Sequence, residues 1–312
     1  MEKNPRSDTP TTLMLSVYII TFLIGVPTNI LAFYTFSRKV FRKSTPIDIL
    51  LLNLTVSDLL FLAFLPAKMK EAADDMTWNM PYFVCSLSIF LFFAPIYTSI
   101  LFLTAISVER YVCVAYPTKY KAKRRISYTV VISVSFWVVS VAQGTVVYCA
   151  AFYGANHMNR GNTSQLPLVA GGQTCYGNFT DEQLRILLPV RLNSLVTFFS
   201  IPLLICCFCY INFIWTLSRL PHVGQRRKLR AIGLALGSLL VFALCFAPFN
   251  VSHVMGFIKG ESPKWRIEAT MLSTLNACLD PIIFYCSSWE VRKALRRWLK
   301  GLKGSQASLS SK

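Results

Sequence analysis

The chain has 312 residues, of which 54% are hydrophobic and 15% charged, with a mean hydropathy of +0.48 and a formal net charge of +18. A soluble chain of this length would form about two domains, but this composition excludes an ordinary soluble protein and points to the lipid bilayer. The net charge suggests nucleic acid only as a bulk figure; its position along the chain decides its meaning.

Seven apolar stretches lie at 12–36, 46–68, 84–112, 128–150, 190–217, 231–258 and 267–287, each able to cross roughly 30 Å of hydrocarbon as a helix. The first follows a polar stretch, exceeds a signal-peptide core in length and lacks a small-residue cleavage site, so it is expected to remain as a signal anchor. Most Lys and Arg fall on one side of the pattern: Arg38 to Lys43, Lys119 to Arg125, Arg219 to Arg230 and Arg292 to Lys312. Most acids, among them Glu71, Asp74, Asp75, Asp181, Glu182, Glu261 and Glu268, fall on the other. The positive-inside rule places the N-terminus outside and the C-terminus inside, and leaves no role for nucleic acid. The expected fold is all-α: an extracellular N-terminus (1–11), a seven-helix bundle (12–288), an amphipathic interfacial helix (289–300) and a cytoplasmic tail (301–312).

The outer connection at roughly 151–188 carries two glycosylation sequons, at Asn162 and Asn178, which act only on the extracellular side. Matching triplets at Asn53 and Asn250 lie inside spans. Eight of the ten cysteines sit within or at the ends of spans, where a free Cys behaves as a small hydrophobe. Cys85 opens the third span and Cys175 sits in the outer loop; in that oxidising location a disulfide between them is expected. In 289–300, Val291, Leu295, Trp298 and Leu299 share one face and the bases the other, as in a helix lying on lipid. The serine-containing tail that follows is a candidate for phosphorylation; a solvated, unmodified tail is the alternative.

Ionisable groups inside spans are costly and are functional candidates by default. Asp58 in the second span could face Ser99 in the third and Asn276 and Asp280 in the seventh, an oxygen-rich set that suits sodium; a hydrogen-bonded polar core or a protonated acid is the alternative. Glu109-Arg110-Tyr111 stands where the third span enters the cytoplasm, and Pro202, Pro248 and Pro281 each remove an N–H and predict a kink. Near the outer ends, Arg191, His253 and Arg266 come from three different spans. Two guanidinium forks and an imidazole would hold a carboxylate by charge-assisted bonds. The competing readings are a snorkelling Arg266, a satisfied polar His253, or pairing of these bases with Glu268 or Asp181.

Asn29, Asp58, Trp137, Pro202, Cys245-Phe246-Ala247-Pro248 and Asp280-Pro281-Ile282-Ile283-Phe284-Tyr285 fall in the order and spacing of the rhodopsin-like G-protein-coupled receptors, which the chain resembles over nearly its whole length. The resemblance implies that Arg110, held by Glu109, is freed when the sixth helix swings outward to admit a heterotrimeric G protein, with Phe246 as rotamer switch and Tyr210 supporting the open state. The family usually has Trp at 246, Asn at 280 and Tyr at 284. Within that family, LPVR (188–191), NVSH (250–253), DILLLNLTVSDLL (48–60) and GESPKWRIEATMLSTLNACLDP (260–281) resemble the short-chain free fatty acid receptors. That implies acetate, propionate or butyrate as agonist, Gi/o coupling with loss of cyclic AMP, and Gq as a further route. It also implies Arg191 and Arg266 gripping the carboxylate beside His253, with Tyr97 as pocket floor. Phe93 and Phe249 stand where members carry Tyr, Gln143 where His is frequent, and Gly177 where Glu occurs.

Other ligands with an acid group, a hydroxycarboxylate, a nucleotide or a long-chain lipid, could use the same arginine pair. A transporter would share the intramembrane charges, but no inverted repeat is present, and no spacing of metal ligands or of a nucleophile and base supports an enzyme. No cofactor is expected beyond the sodium ion.

Overall fold

A computed structural model describes residues 11–122, 126–158, 175–176, 179–221 and 223–287. Its helices are α1 (Thr11–Lys43), α2 (Pro46–Ala73), α3 (Tyr82–Ala115), the short α4 (Pro117–Ala122), α5 (Ile126–Met158), α6 (Asp181–Leu195), α7 (Ile201–Arg219), α8 (Gln225–Lys259), α9 (Arg266–Thr274) and α10 (Asn276–Ser287). A π-helical turn at Val196–Ser200 joins α6 to α7. The interfacial helix expected at 289–300, the tail, the sequons at Asn162 and Asn178, and Gly177 lie outside the described residues.

Six helical segments are long and apolar enough to cross a membrane: α1 to α3, α5, the joined α6 and α7, and α8. They overrun the apolar stretches because a helix does not stop where lipid does. At 1.5 Å per residue, the 33 residues of α1 span about 50 Å. The fifth span begins well before position 190 because Thr180 and Gln183 form a capping box: the Gln183 N–H donates to the Thr180 hydroxyl, and the Thr180 N–H donates to Gln183 Oε1 at 2.8 Å. That Thr-x-x-Gln signature is readable in the sequence. The seventh crossing differs from the single helix expected, since Leu275 divides it into α9 and α10, with the Leu275 N–H bonded to Leu272 and the Cys278 N–H to Leu275 in the tighter i to i+3 pattern.

The helices close into a ring around α3, which packs against α2, α5 and α7 while α10 returns to α1 and α8. Burial confirms its central place: 78% of the apolar window of α3 is buried, against 28% for α1 and for α5. Side chains such as Leu23, Ile30, Val131, Val138, Leu204 and Phe208 point outward, an apolar exterior suited to lipid. Helix association in lipid depends on close backbone approach and on polar cross-links. Gly25 supplies the approach, because a Cβ there would meet Leu62 Cδ2 at 3.0 Å. Asn29 supplies the link. Pro281 has no N–H, so the Ala277 carbonyl four residues earlier lacks its helical donor; Asn29 Nδ2 donates to it at 2.6 Å across from α1. The Ser273 hydroxyl donates at 3.0 Å to the Cys245 carbonyl three residues ahead of Pro248, and Trp137 Nε1 donates at 3.0 Å to Asn53 on α2.

The expected disulfide is present, with Cys85 at the start of α3 bonded to Cys175, both fully buried. At the same end Gly260 caps α8 with φ 71°, a left-handed conformation that glycine adopts without strain. Asn29→Ala leaves the Ala277 carbonyl without a donor and should cost about 1–2 kcal/mol, read as a lower melting temperature of the detergent-solubilised protein. Gly25→Val should also lower it, whereas Gly237→Ala, which adds a Cβ into open space, should not.

Candidate functional site

At the disulfide-bearing end the bundle brings Arg191 on α6, His253 on α8 and Arg266 at the start of α9 to one place. Arg191 is only 2% exposed. Its Nη2 lies 3.4 Å from the Tyr176 hydroxyl, and its guanidinium carbon lies 5.0 Å from the Phe179 ring centroid and 5.8 Å from that of Tyr176. Ring faces attract a cation but do not neutralise it, and Arg191 Nε has no hydrogen-bond partner among the described residues. Arg266 Nη1 donates to the Ser252 hydroxyl at 3.0 Å and reaches His253 Nδ1 at 2.7 Å, with its guanidinium 4.8 Å from the Phe249 centroid.

The contact at Nδ1 decides the tautomer of the imidazole. A guanidinium has donors and no acceptor, so His253 Nδ1 must accept and the ring proton must sit on Nε2. His253 is 1% exposed and its Nε2 has no partner among the described residues. The site therefore contains two buried N–H donors without acceptors, Arg191 Nε and His253 Nε2, while the Arg191 and Arg266 charges lie close enough to repel. The chemistry missing from such a site is an anionic acceptor.

Aromatic side chains wall it. Phe93 and Phe249 stack at 6.0 Å, Phe93 meets Tyr176 at 5.4 Å, and Phe249 meets the His253 ring at 4.6 Å. Tyr97 lies deeper against Phe198 at 5.0 Å, its hydroxyl within hydrogen-bonding reach of Ser194. Gln143 donates its side-chain amide to the same Ser194 hydroxyl. Gln143 and Tyr97 thus join α5 and α3 to α6 through Ser194, which was not singled out from the sequence. Tyr176, Phe179 and Ser252 were missed as well. Tyr176 and Phe179 follow Cys175 within four residues, so a loop pinned by the disulfide was the available signal; Ser252 precedes His253 in a string already noted.

Deeper in the bundle, Asp58 is 2% exposed and lies beside a cavity of about 10 Å³, close to the room needed by one water. Ser99, Asn276, Phe246 and Ser273 also line it. Ser99 is within hydrogen-bonding reach of Asp58, Asn276 within reach of Asp280, and the two carboxylates interact repulsively. Asp58 Oδ2, Asn276 Oδ1 and Asp280 Oδ2 are buried oxygens without hydrogen-bond partners among the described residues. Hard oxygen donors around two carboxylates fit a small hard cation, although no cluster of three or more His, Cys, Asp or Glu that could hold a metal ion occurs among the described residues.

Toward the other end, Glu109, Arg110 and Tyr111 are half-buried on α3. Tyr111 contacts Tyr116 and Phe208 at about 6 Å, and the buried Tyr210 lies within hydrogen-bonding reach of Ser238 and in the field of Arg110. Phe246 is fully buried, 5.6 Å from Phe242, with Pro281 on the neighbouring α10.

Removing a buried charge that has no counterion is stabilising when the replacement fills the same space. Arg191→Met should therefore raise the melting temperature of the purified, ligand-free protein by about 2 °C or more. A lower value would mean that Arg191 is already satisfied.

Comparison with known proteins agrees with this architecture. Residues 28–284 match the family model for the 7 transmembrane receptor (rhodopsin family). The chain is 45% identical to human free fatty acid receptor 3 over 291 residues, covering 93% of this chain and 81% of that receptor. It is 44% identical to human G-protein coupled receptor 42, with the same coverage. It is 43% identical to human free fatty acid receptor 2 over 303 residues, covering 97% of this chain and 89% of that one. The divided α9 and α10 are therefore one crossing, the seventh, and the chain belongs to the rhodopsin family of seven-transmembrane G-protein-coupled receptors, a receptor family and not an enzyme family, where it resembles free fatty acid receptors 2 and 3.

Proposed function

We propose that this receptor is a plasma-membrane sensor of short-chain fatty acids, with its N-terminus outside. Acetate, propionate or butyrate enters at the disulfide-bearing end, and Arg191 and Arg266 clamp its carboxylate with His253 Nε2 donating a third bond. The observation that carries the reading is the pair of buried, acceptor-less donors on Arg191 and His253 beside a second guanidinium. The names of the similar receptors support a fatty acid ligand. Phe93 and Phe249 form an apolar wall, which favours a ligand with a short hydrocarbon tail over formate.

The signal passes along α8. His253, Phe249, Phe246 and Phe242 follow one another at intervals of four, three and four residues, which places them on one helix face. Phe246 lies between the aromatic wall and the Asp58 cavity, so a shift of α8 repacks both. The outward movement of its other end releases Arg110 from Glu109, exposes a cleft for the G-protein α subunit and is braced by Tyr210. Coupling is to Gi/o with a fall in cyclic AMP, with Gq as a second route and arrestin binding the tail after phosphorylation. Asp58, Asp280, Ser99 and Asn276 would hold a sodium ion, which would supply positive charge to offset the two carboxylates and favour the resting packing. The organisation is an outer segment (1–11), the bundle (12–288), an interfacial helix (289–300) and a tail (301–312).

A cyclic-AMP dose response to C2 to C6 carboxylates tests the pocket. Arg191→Ala and Arg266→Ala should each lose at least about thirtyfold in potency, the roughly 2 kcal/mol expected when one partner of a buried charged pair is removed, and propionate or butyrate should outperform formate. Wild-type responses in both variants would refute the clamp. For the deeper site, replacing sodium by a bulky organic cation should increase propionate potency in the wild type and leave Asp58→Asn unchanged.

A further inference from the structure

Tyr176 touches Arg191 although it lies in a loop, so something must hold that loop's backbone in register with α6. The disulfide alone does not: it ties the Cys175 side chain to α3 but leaves the peptide free to turn about the side-chain torsions. The second attachment comes from Glu71, near the end of α2 and 2% exposed. Its Oε1 accepts the Cys175 backbone N–H at 2.7 Å, and its Oε2 accepts the Lys68 ammonium at 2.8 Å. Both oxygens are satisfied, one by a charge, so the bond to Cys175 is short and charge-assisted.

The next residue is Tyr176. Its ring packs on Phe93 and on Phe179, at 5.4 and 4.9 Å, and its hydroxyl lies 3.4 Å from Arg191. Lys68 reaches the same wall from the other side, 5.9 Å from the Phe92 centroid, and Phe92 packs on Phe93 at 5.4 Å. A peptide plane held at Cys175 N by α2 and at Cys175 Sγ by α3 has little freedom left, and the tyrosine that follows inherits that fixed direction.

We propose that Glu71 is a positioning residue for ligand recognition: by holding the Cys175 N–H it sets Tyr176 over Arg191, and so sets the affinity of the carboxylate clamp without touching the ligand. The inference rests on the carboxylate reading of the Arg191 site. A bare stabilising ion pair between Lys68 and Glu71 would not make the effect of Glu71 depend on the tyrosine hydroxyl, and that dependence is the discriminating property.

The experiment is a double-mutant cycle read as propionate potency in a cyclic-AMP assay, with receptor number at the cell surface measured in parallel. Glu71→Ala should lower potency about tenfold, and Glu71→Gln, which keeps an acceptor for the Cys175 N–H, should stay within about threefold of wild type. In a Tyr176→Phe background, Glu71→Ala should add less than about twofold. Should Glu71→Ala fail to reach the surface, Glu71→Asp keeps the charge beside Lys68 but is one methylene too short for Cys175, and takes its place in the cycle. Wild-type potency in the Glu71 variants together with a lost response in Arg191→Ala overturns the positioning role and leaves the clamp standing, as does full multiplication of the Glu71 and Tyr176 losses. A wild-type response in Arg191→Ala overturns the clamp and the positioning role together.

Discussion

A guanidinium buried at 2% exposure without a neutralising partner among the described residues is the constraint around which the disulfide-bearing end of this receptor is arranged. Charge in a low-dielectric interior is tolerated only with compensation. Arg191 receives partial compensation from the Tyr176 hydroxyl and two ring faces, and Arg266 from Ser252, the Phe249 face and a neutral His253 that must accept at Nδ1. None of these removes the net positive charge. Among the described residues no acid offsets it, and under the proposed function a ligand carboxylate would complete the electrostatics as well as fill the space. In this reading agonist binding and pocket stability are the same free energy seen from two sides.

The same logic governs the bundle below. Prolines in α8 and α10 remove backbone donors from helices that lipid cannot hydrogen-bond, and side chains from neighbouring helices donate to carbonyls beside them: Asn29 to Ala277, the carbonyl freed by Pro281, and Ser273 to Cys245, near Pro248. Each of these bonds is also a joint between two helices. Because these joints sit beside Phe246 and the Asp58 cavity, the weak points of the helices coincide with the place where the proposed signal changes packing. Packed cores shift between discrete arrangements instead of deforming smoothly, which suits a receptor with resting and active forms.

The relation between α2 and the loop after α5 links these two levels. Glu71 and Lys68 belong to a helix that packs on α1 and α3, yet through Cys175 and Phe92 they reach the aromatic wall beside Arg191. The proposed ligand site, assembled from α3, α6, α8, α9 and a loop, needs such a tie, since no single element carries enough of it to define its shape. Loops that carry function are positioned by rigid scaffolds, and here a disulfide and one carboxylate form the attachment.

Local properties of the sequence determined a great deal. Hydropathy sufficed for the seven crossings, because the energetic demand of a bilayer on a helix is one-dimensional, and the bias of Lys and Arg gave the expected orientation. The arginines and histidine were visible because ionisable groups are rare in such spans, and Cys85 and Cys175 because only they lie in the outer region. Tertiary structure alone decided the rest. The break at Leu275 follows from helix packing that no periodicity records, and the tautomer of His253 follows from the side of the imidazole that Arg266 occupies. Gln143 proved to be bonded to Ser194, and Tyr176 and Glu71 entered the site through contacts 15 and 104 residues distant in sequence. Such contacts arise from the rotation and depth of each helix, which are set by packing against neighbours and leave no periodic trace in the chain.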